Sequence, residues 1–281
     1  MDIKENIDKA AKAFADAEAI LITAGAGIGV DSGLPDFRGN KGFWKAYPPI
    51  AKLGISFSEM ANPQWFEVKP HLAWAFYGHR LNLYRRTTPH QGFFQLLKMA
   101  DQKPAGYFVF TSNVDGQFQK AGYREDRIEE CHGSIHHLQC TTVCSDTIWD
   151  GSEIKIVVDE KSFEAQTPLP RCIKCGGLSR PNILMFGDWS WISSRTDAQS
   201  QRFSKWLQEL SKKKIRLLII EIGAGEAVPT VRMKSEYLAQ INNGTLIRIN
   251  PRDYYTPSGH ISIPLGSADG INQIYERVKS F

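Results

Sequence analysis

The sequence has few of the features of an exported or membrane-embedded protein. No apolar stretch reaches the roughly 20 residues that a membrane-spanning helix needs. The first residues include Asp2, Glu5 and Asp8 and lack a basic segment followed by an apolar one, which predicts neither a secretory signal nor a transit peptide. We therefore expect a cytoplasmic protein with no membrane partner.

A large excess of charge of one sign is also missing. The chain has 34 basic and 30 acidic residues, and its net charge is +4. This excess is too small to indicate a nucleic-acid partner or an anionic membrane surface. The sequence also lacks an internal repeat and a low-complexity segment. With 281 residues, of which 42% are hydrophobic, it can bury a sizeable core.

Cysteine is scarce, and four of the five cysteines fall into two close pairs. Cys140 and Cys144 are separated by three residues, and Cys172 and Cys175 by two. Two such pairs can bring four thiolates to one tetrahedral zinc ion, and this is favoured over disulfides. A four-sulfur site has no open position for a substrate, so its role would be structural. The fifth, Cys131, is either a small buried apolar residue or a nucleophile beside His132.

Short apolar runs that alternate with helical patterns predict a doubly wound, parallel α/β sheet. An amphipathic helix precedes the first run. The runs cover residues 19–24, 106–111, 215–222, 245–249 and 261–265. Two stretches interrupt this rhythm and are predicted to be insertions. Residues 40–105 are rich in aromatic residues and predict a helical module, and residues 136–180 contain the four paired cysteines and predict a zinc module.

Polar and glycine-rich segments follow several of these runs, at the strand ends where such sheets bind ligands. The loop Gly25-Ala26-Gly27-Ile28-Gly29 could hold a phosphate through its backbone amides, or could simply be a tight turn. The segment Ser112–Gly116 could bind a carboxamide through Asn113 and Asp115, or could cap a helix. His132 could act as a base near neutral pH.

Within the helical module, Tyr77 and Arg80 lie three residues apart and therefore on one helix face. A phenol and a guanidinium that converge would suit a carboxylate. A tyrosine packed beside a solvent-facing arginine is the alternative, and the sequence favours neither interpretation.

The string from Gly25 to Gly39, which continues as Ser32-Gly33-Leu34-Pro35-Asp36-Phe37-Arg38-Gly39, closely resembles the first signature of the sirtuins, NAD-dependent protein deacylases. Further segments match in family order. They are Asn113-Val114-Asp115, His132-Gly133, Cys172-x2-Cys175-Gly-Gly, Arg180 to Asp188, Gly223, and Ile249-Asn250. The chain resembles a divergent, bacterial-type member. It differs where the family usually has serine at 29, glutamine at 112, glutamate at 188 and a Thr-Ser pair at 224–225.

The resemblance implies a Rossmann-like NAD-binding domain made of residues 1–39, 106–135 and 181–281. It implies that His132 and Asn113 are catalytic. The implied NAD-binding residues are Gly25, Ala26, Gly27, Asp36, Phe37, Arg38, Ser112, Asn113, Val114, Asp115, Gly223, Ala224, Gly225, Asn250 and Ala268. The implied acyl-lysine-binding residues are Tyr77, Arg80, Leu184, Phe186 and Gly187. The implied zinc ligands are Cys140, Cys144, Cys172 and Cys175. His136 and His137 have no counterpart in the family pattern, and we expect them to be surface or zinc-module residues.

The implied activity is removal of an acyl group from a protein lysine. The acyl oxygen attacks the ribose C1′ of NAD, nicotinamide leaves, and His132 takes the proton of the 2′-hydroxyl, so that O-acyl-ADP-ribose is formed. The Tyr-x-x-Arg pattern at Tyr77 resembles sirtuins that remove succinyl and malonyl groups. The alternatives are a sirtuin-fold ADP-ribosyltransferase or NAD hydrolase, and a zinc-ribbon protein that binds NAD or nucleic acid without turnover.

Overall fold

The computed structural model describes residues 2–36 and 39–280. The helices are α1 (Ile3–Asp16), α2 (Gly39–Ala46), α3 (Pro48–Lys52), α4 (Phe57–Met60), α5 (Trp65–Val68), α6 (Pro70–Arg86), α7 (Gln91–Asp101), α8 (Gln117–Lys120), α9 (Ser194–Lys212), α10 (Thr230–Ile241) and α11 (Ser267–Val278). The strands are β1 (Ala19–Ala24), β2 (Tyr107–Thr111), β3 (Ile128–Glu130), β4 (Gly133–Cys140), β5 (Trp149–Asp150), β6 (Val158–Asp159), β7 (Glu164–Ala165), β8 (Ser179–Ile183), β9 (Leu217–Ile222), β10 (Thr245–Ile249) and β11 (Ile261–Ile263). Short 3-10 helices cover Ala26–Ser32 and Glu125–Arg127.

Six strands form one parallel sheet in the order β11-β10-β9-β1-β2-β3. The central strands β1 and β9 are mostly apolar and entirely buried because helices cover both faces of the sheet. The chain runs outward from β1 in one direction and then returns to build the other half from β9. The predicted doubly wound parallel sheet is therefore confirmed.

Three helices, α1, α7 and α11, pack on one face of this sheet, and α9 and α10 pack on the other. Helix α1 shows how the sequence directs this packing. Ile7, Ala10, Ala11 and Phe14 recur on one side of the helix and are all buried. The side chain of Asp2 accepts from the first free amides of the helix and so defines its beginning.

A second core joins the aromatic helices to the smaller sheets. Helices α2 to α6 pack with a three-stranded antiparallel sheet, in the order β5-β4-β8, and with the β6-β7 hairpin. Trp74 of α6 lies in this core, and its indole N–H donates to the Ser179 carbonyl of β8 at 3.0 Å. Helices α2 to α6 and the cysteine-bearing segment therefore form one lobe, the aromatic lobe, beside the parallel sheet.

Strand bounds differ from the predicted runs where backbone chemistry intervenes. The run at 215–222 begins two residues late because the Ile215 amide still caps α9 through the Leu210 carbonyl. The run at 261–265 ends early at Pro264, which lacks an amide for the ladder. Strand β3 was not predicted, since two of its three residues are glutamates, yet both are buried. Among the described residues, no helix is long and apolar enough to cross a membrane.

Candidate functional site

The candidate site lies at the carboxyl edge of the parallel sheet, where the loops after β1, β2, β3, β9 and β10 meet. Strands β1 and β9 are neighbours there, and the chain leaves them in opposite directions. In open α/β sheets this switch point leaves a crevice between the loops, and ligands bind in it.

The first glycine loop packs directly against the loop after β9. The Gly25 and Gly27 amides donate to the Ile222 and Gly223 carbonyls, each at 3.0 Å. A Cβ on Gly27 would lie 2.7 Å from the Gly223 Cα, and one on Gly223 would lie 2.2 Å from the Ile28 nitrogen. These glycines are thus required by the contact between the two loops. The amides of Gly25 and Gly27, which we expected to approach a phosphate, are engaged within the protein.

The second half of the crevice is held together by Asn250. Its side-chain amide donates to the Ala224 carbonyl at 2.8 Å, and its Oδ1 accepts from the Arg252 amide at 3.0 Å. Asn250 is fully buried and Ala224 nearly so, whereas Gly225 is partly exposed. The loops after β9 and β10 are therefore locked to one another at a place predicted to bind NAD.

Two further predicted residues make polar contacts at this edge. The Asp36 carboxylate lies 3.2 Å from the Arg252 guanidinium, which links the segment that ends at Asp36 to the loop after β10. The Ala268 amide donates to the Asp31 carboxylate at 2.8 Å, so this amide has a partner within the protein. Phe37 and Arg38 lie outside the described residues.

Asn113 and Asp115 follow β2 and are both buried. The Asn113 side-chain amide donates to the Gly25 carbonyl at 3.1 Å, and the Asp115 carboxylate accepts from the Gln117 amide at 2.9 Å. Burial raises the pKa of Asp115 to about 6. The Ser112 amide donates to the Ala24 carbonyl, and the Val114 carbonyl accepts from the Ile135 amide. This turn is therefore tied to the glycine loop and to β4.

His132 lies two residues after the end of β3, at the same edge of the sheet. Its carbonyl accepts from the Leu184 amide at 3.0 Å, which ties this segment to the chain that follows β8. Burial lowers the pKa of His132, which leaves the ring neutral and able to accept a proton near neutral pH. Burial raises the pKa of the adjacent Cys131 thiol to about 12, so Cys131 is a protonated, apolar residue and not a nucleophile.

Sequence reasoning missed two residues that contact the Asp115 turn. His136 was expected at the surface or in the zinc module. It does belong to β4, but it is partly buried, and its Nε2 lies 3.0 Å from the Asp115 carbonyl oxygen. Gln117 is buried, and its side-chain amide donates to the Tyr84 carbonyl of α6. No sequence motif predicts either contact, because both form only where the aromatic lobe packs beside the parallel sheet.

Tyr77 and Arg80 are both buried in the aromatic lobe, which excludes the interpretation with a solvent-facing arginine. The Arg80 guanidinium carbon lies 5.8 Å from the centre of the Tyr77 ring, and its Nε donates to the Tyr84 hydroxyl at 3.1 Å. The Tyr77 hydroxyl is buried and has no hydrogen-bond partner within the described part of the chain. A buried hydroxyl of this kind is costly unless a ligand or water completes it.

The predicted substrate edge follows β8. Leu184 and Phe186 are partly exposed, and the Phe186 amide donates to the Ala61 carbonyl of the aromatic lobe. The turn that follows, with Gly187 at φ +67, is held by Asp188. Its carboxylate forms a two-pronged ion pair with Arg180 at 2.7 and 2.9 Å, and both side chains are fully buried. Asp188 therefore stabilises the end of this edge through Arg180.

The four paired cysteines converge as predicted. Their sulfurs all lie within 4.8 Å of one another, and the Cys140–Cys175 and Cys144–Cys172 sulfur pairs are 3.7 and 3.6 Å apart. Four sulfurs at ~2.3 Å from one zinc ion stand about 3.8 Å apart in a tetrahedron, whereas a disulfide needs about 2 Å. The extra residue of the first pair, Val143, is accommodated at φ +49. The residues present therefore fit one structural zinc ion.

Together, the fold and this edge define a dinucleotide-binding α/β protein with an inserted four-cysteine metal module. A sequence model described as the Sir2 family matches residues 25–219. An NAD-dependent protein deacylase of Thermococcus kodakarensis is 30% identical over 96% of this chain and 95% of its own length. One of Aquifex aeolicus is 28% identical over 92% and 95%. The solved Sir2 homolog–NAD complex superposes with a TM-score of 0.70, at 24% identity, over 97% of this chain and 93% of that one. This chain belongs to the Sir2 family.

Proposed function

We propose that this protein is an NAD-dependent protein-lysine deacylase that converts NAD, one water molecule and an acylated lysine into nicotinamide, free lysine and O-acyl-ADP-ribose. One observation carries the proposal. A neutral, partly buried imidazole, His132, lies at the same sheet edge as the Asn113 and Asp115 turn and the packed glycine loops. Relatives that align along nearly the whole chain carry the name NAD-dependent protein deacylase.

Each group at the edge has a role in this reaction. The loops at Gly25 and Gly223 form the floor for the dinucleotide, and Asn250 holds the adenosine side. Asn113 and Asp115 bind the nicotinamide carboxamide, since a buried amide and a carboxyl offer paired donor and acceptor atoms. His132 removes the proton of the ribose 2′-hydroxyl, for which an imidazole with a lowered pKa is suited.

The acylated peptide lies along the segment after β8, with Leu184 and Phe186 in contact with its flanking residues and Gly187 at the turn. The acyl group points toward α6. Because the Tyr77 hydroxyl is buried without a partner in the described structure and the Arg80 guanidinium lies over the Tyr77 ring, this end of the pocket suits an acyl group that ends in a carboxylate. We include succinyl and malonyl groups among the substrates for this reason.

The four cysteines hold zinc away from the reacting atoms. Cys140 ends β4, the strand that begins directly after His132. Zinc therefore stabilises the strand that follows the proposed base, and it takes no part in the chemistry because four thiolates leave no open position.

Incubation with NAD and matched acetyl-lysine and succinyl-lysine peptides, followed by mass spectrometry, tests the proposal. We expect nicotinamide and O-acyl-ADP-ribose in equal amounts with at least one peptide, and loss of both products in His132→Ala. His137→Ala, which changes another partly buried histidine, is the matched control. Nicotinamide release without O-acyl-ADP-ribose would instead indicate ADP-ribosyl transfer or NAD hydrolysis. Binding of NAD without any turnover would indicate a non-enzymatic protein.

The acyl preference has its own test. Tyr77→Phe removes only the unpartnered hydroxyl and keeps the ring that packs on Phe66. We expect it to raise KM for the succinyl peptide by about tenfold or more, since one hydrogen bond to a charged group contributes about 1.5 to 3 kcal/mol, with little change for the acetyl peptide. Equal effects on both peptides would contradict a carboxylate-binding role.

A further inference from the structure

His136 reaches from the small antiparallel sheet into the turn that carries Asp115. Its Nε2 lies 3.0 Å from the Asp115 carbonyl oxygen. A carbonyl oxygen can only accept, so Nε2 carries the proton and the imidazole donates this bond. Burial lowers the pKa of His136, which agrees with a neutral ring that has a single N–H.

The ring also fills the space beside Gly116. A Cβ on Gly116 would lie 2.8 Å from the His136 Cδ2 and 2.8 Å from its Nε2. Gly116 has φ +69, and the residues on both sides of it depend on that turn, because Asp115 accepts from the Gln117 amide. The imidazole therefore supports the turn by contact as well as by a hydrogen bond.

An irregularity in β4 explains how His136 obtains this orientation. The pairing of β4 with β8 shifts between Ser134 and Leu138, and such bulges redirect side chains and often occur beside active sites. The backbone there is held on its other side, since the Gly151 amide donates to the His136 carbonyl at 2.7 Å. The imidazole is thus presented by a strand that is fastened at both edges.

We propose that His136 is a positioning residue for nicotinamide, because its imidazole holds the Val114–Gly116 turn and thereby the carboxyl group of Asp115. This inference rests on the proposed function, in which Asp115 binds the nicotinamide carboxamide. It also connects the zinc module to the site, since β4 begins directly after His132, contains His136 and ends at the zinc ligand Cys140.

Two polar replacements separate this role from a general effect on folding. The amide nitrogen of glutamine can take the place of Nε2, so His136→Gln keeps the bond to Asp115, whereas the asparagine of His136→Asn is too short to reach. His137→Asn is the control, since His137 lies on the same strand and its Nδ1 has no partner in the described structure. Nicotinamide affinity is measured directly by calorimetry and as the product-inhibition constant. Melting temperature and zinc content are recorded for every variant.

We expect His136→Asn to weaken nicotinamide binding and to raise KM for NAD by about fivefold each, the effect of one lost hydrogen bond. His136→Gln and the control should stay within about twofold of the parent protein. A His136→Asn variant that loses kcat or stability but binds nicotinamide normally would overturn the proposal. So would a parent protein that binds no nicotinamide. A parent protein that binds nicotinamide but removes no acyl group would overturn the deacylase function and leave this assignment supported by the binding data.

Discussion

Replacing Asp115 with asparagine should stabilise the protein near neutral pH while weakening its affinity for nicotinamide. The carboxyl is buried, and its pKa rises from 3.8 to about 6 in the folded chain. The raised value means that folding disfavours the charged form, mainly because burial removes water from it. A difference of about 2 between the pKa values in the folded and unfolded chain corresponds to ~3 kcal/mol in the free energy of unfolding. Asparagine is almost isosteric and can still accept from the Gln117 amide at 2.9 Å.

The pH dependence follows from the sign of this shift. Below about pH 4 the carboxyl is protonated in both states and carries no such cost. Between about pH 4 and 6 the unfolded chain releases the proton first, so the parent protein loses stability as pH rises. Asp115→Asn removes this loss. It should therefore match the parent at about pH 4 and exceed it by up to ~3 kcal/mol above about pH 7.

Urea unfolding at several pH values, with nicotinamide affinity measured on the same samples, checks both halves of this prediction. Val114→Ala serves as a control at the same turn, because it keeps the Asp115 carboxyl and changes no titrating group, so that it should show the pH dependence of the parent. A stability difference between Asp115→Asn and the parent that does not change with pH would refute the reasoning, as would an asparagine variant that is less stable at about pH 8.

Three other predictions concern the parts that support the site. Arg180→Met leaves the Asp188 carboxylate buried without its partner and should cost about 3 to 5 kcal/mol in urea unfolding, whereas a cost below about 1 kcal/mol would show that the pair is not desolvated. Cys172→Ser should abolish binding of one zinc ion per chain, measured by elemental analysis, and lower the melting temperature, since the remaining three sulfurs cannot close the tetrahedral site. Val143→Gly should retain zinc and gain ~1 kcal/mol, because a β-branched residue at φ +49 is strained; a loss of stability would argue against strain there.

Much of the main sheet could be read from local patterns. The runs at 19–24 and 245–249 coincide with β1 and β10, because a strand covered on both faces is apolar at nearly every position. A strand whose charged residues find their partners only in the folded protein could not be predicted. Strand β3 has buried glutamates, of which Glu130 is neutralised by Arg195, 65 residues later in the chain. Such a partner is visible only after folding.

The cysteine pairs predicted a single site, whereas the helical spacing of Tyr77 and Arg80 left two interpretations open. Two pairs of thiols predict a common site because one zinc ion needs all four, and the sulfurs do converge. The spacing of Tyr77 and Arg80 allowed either a ligand pocket or a solvent-facing arginine. Only the lobe packed around them excludes the second possibility, since both side chains are buried among aromatic rings.

By itself, the sequence determined the doubly wound sheet, the family signature and the composition of the four-cysteine site, since each of these is encoded in residues that are close in the chain. Tertiary structure decided what those residues do to one another. It showed that Gly27 and Gly223 are required by mutual backbone contact, and that Asp188 is held by Arg180. It also brought His136 against the Asp115 turn. These contacts join segments from different parts of the fold, and the packing of one lobe against the other creates them.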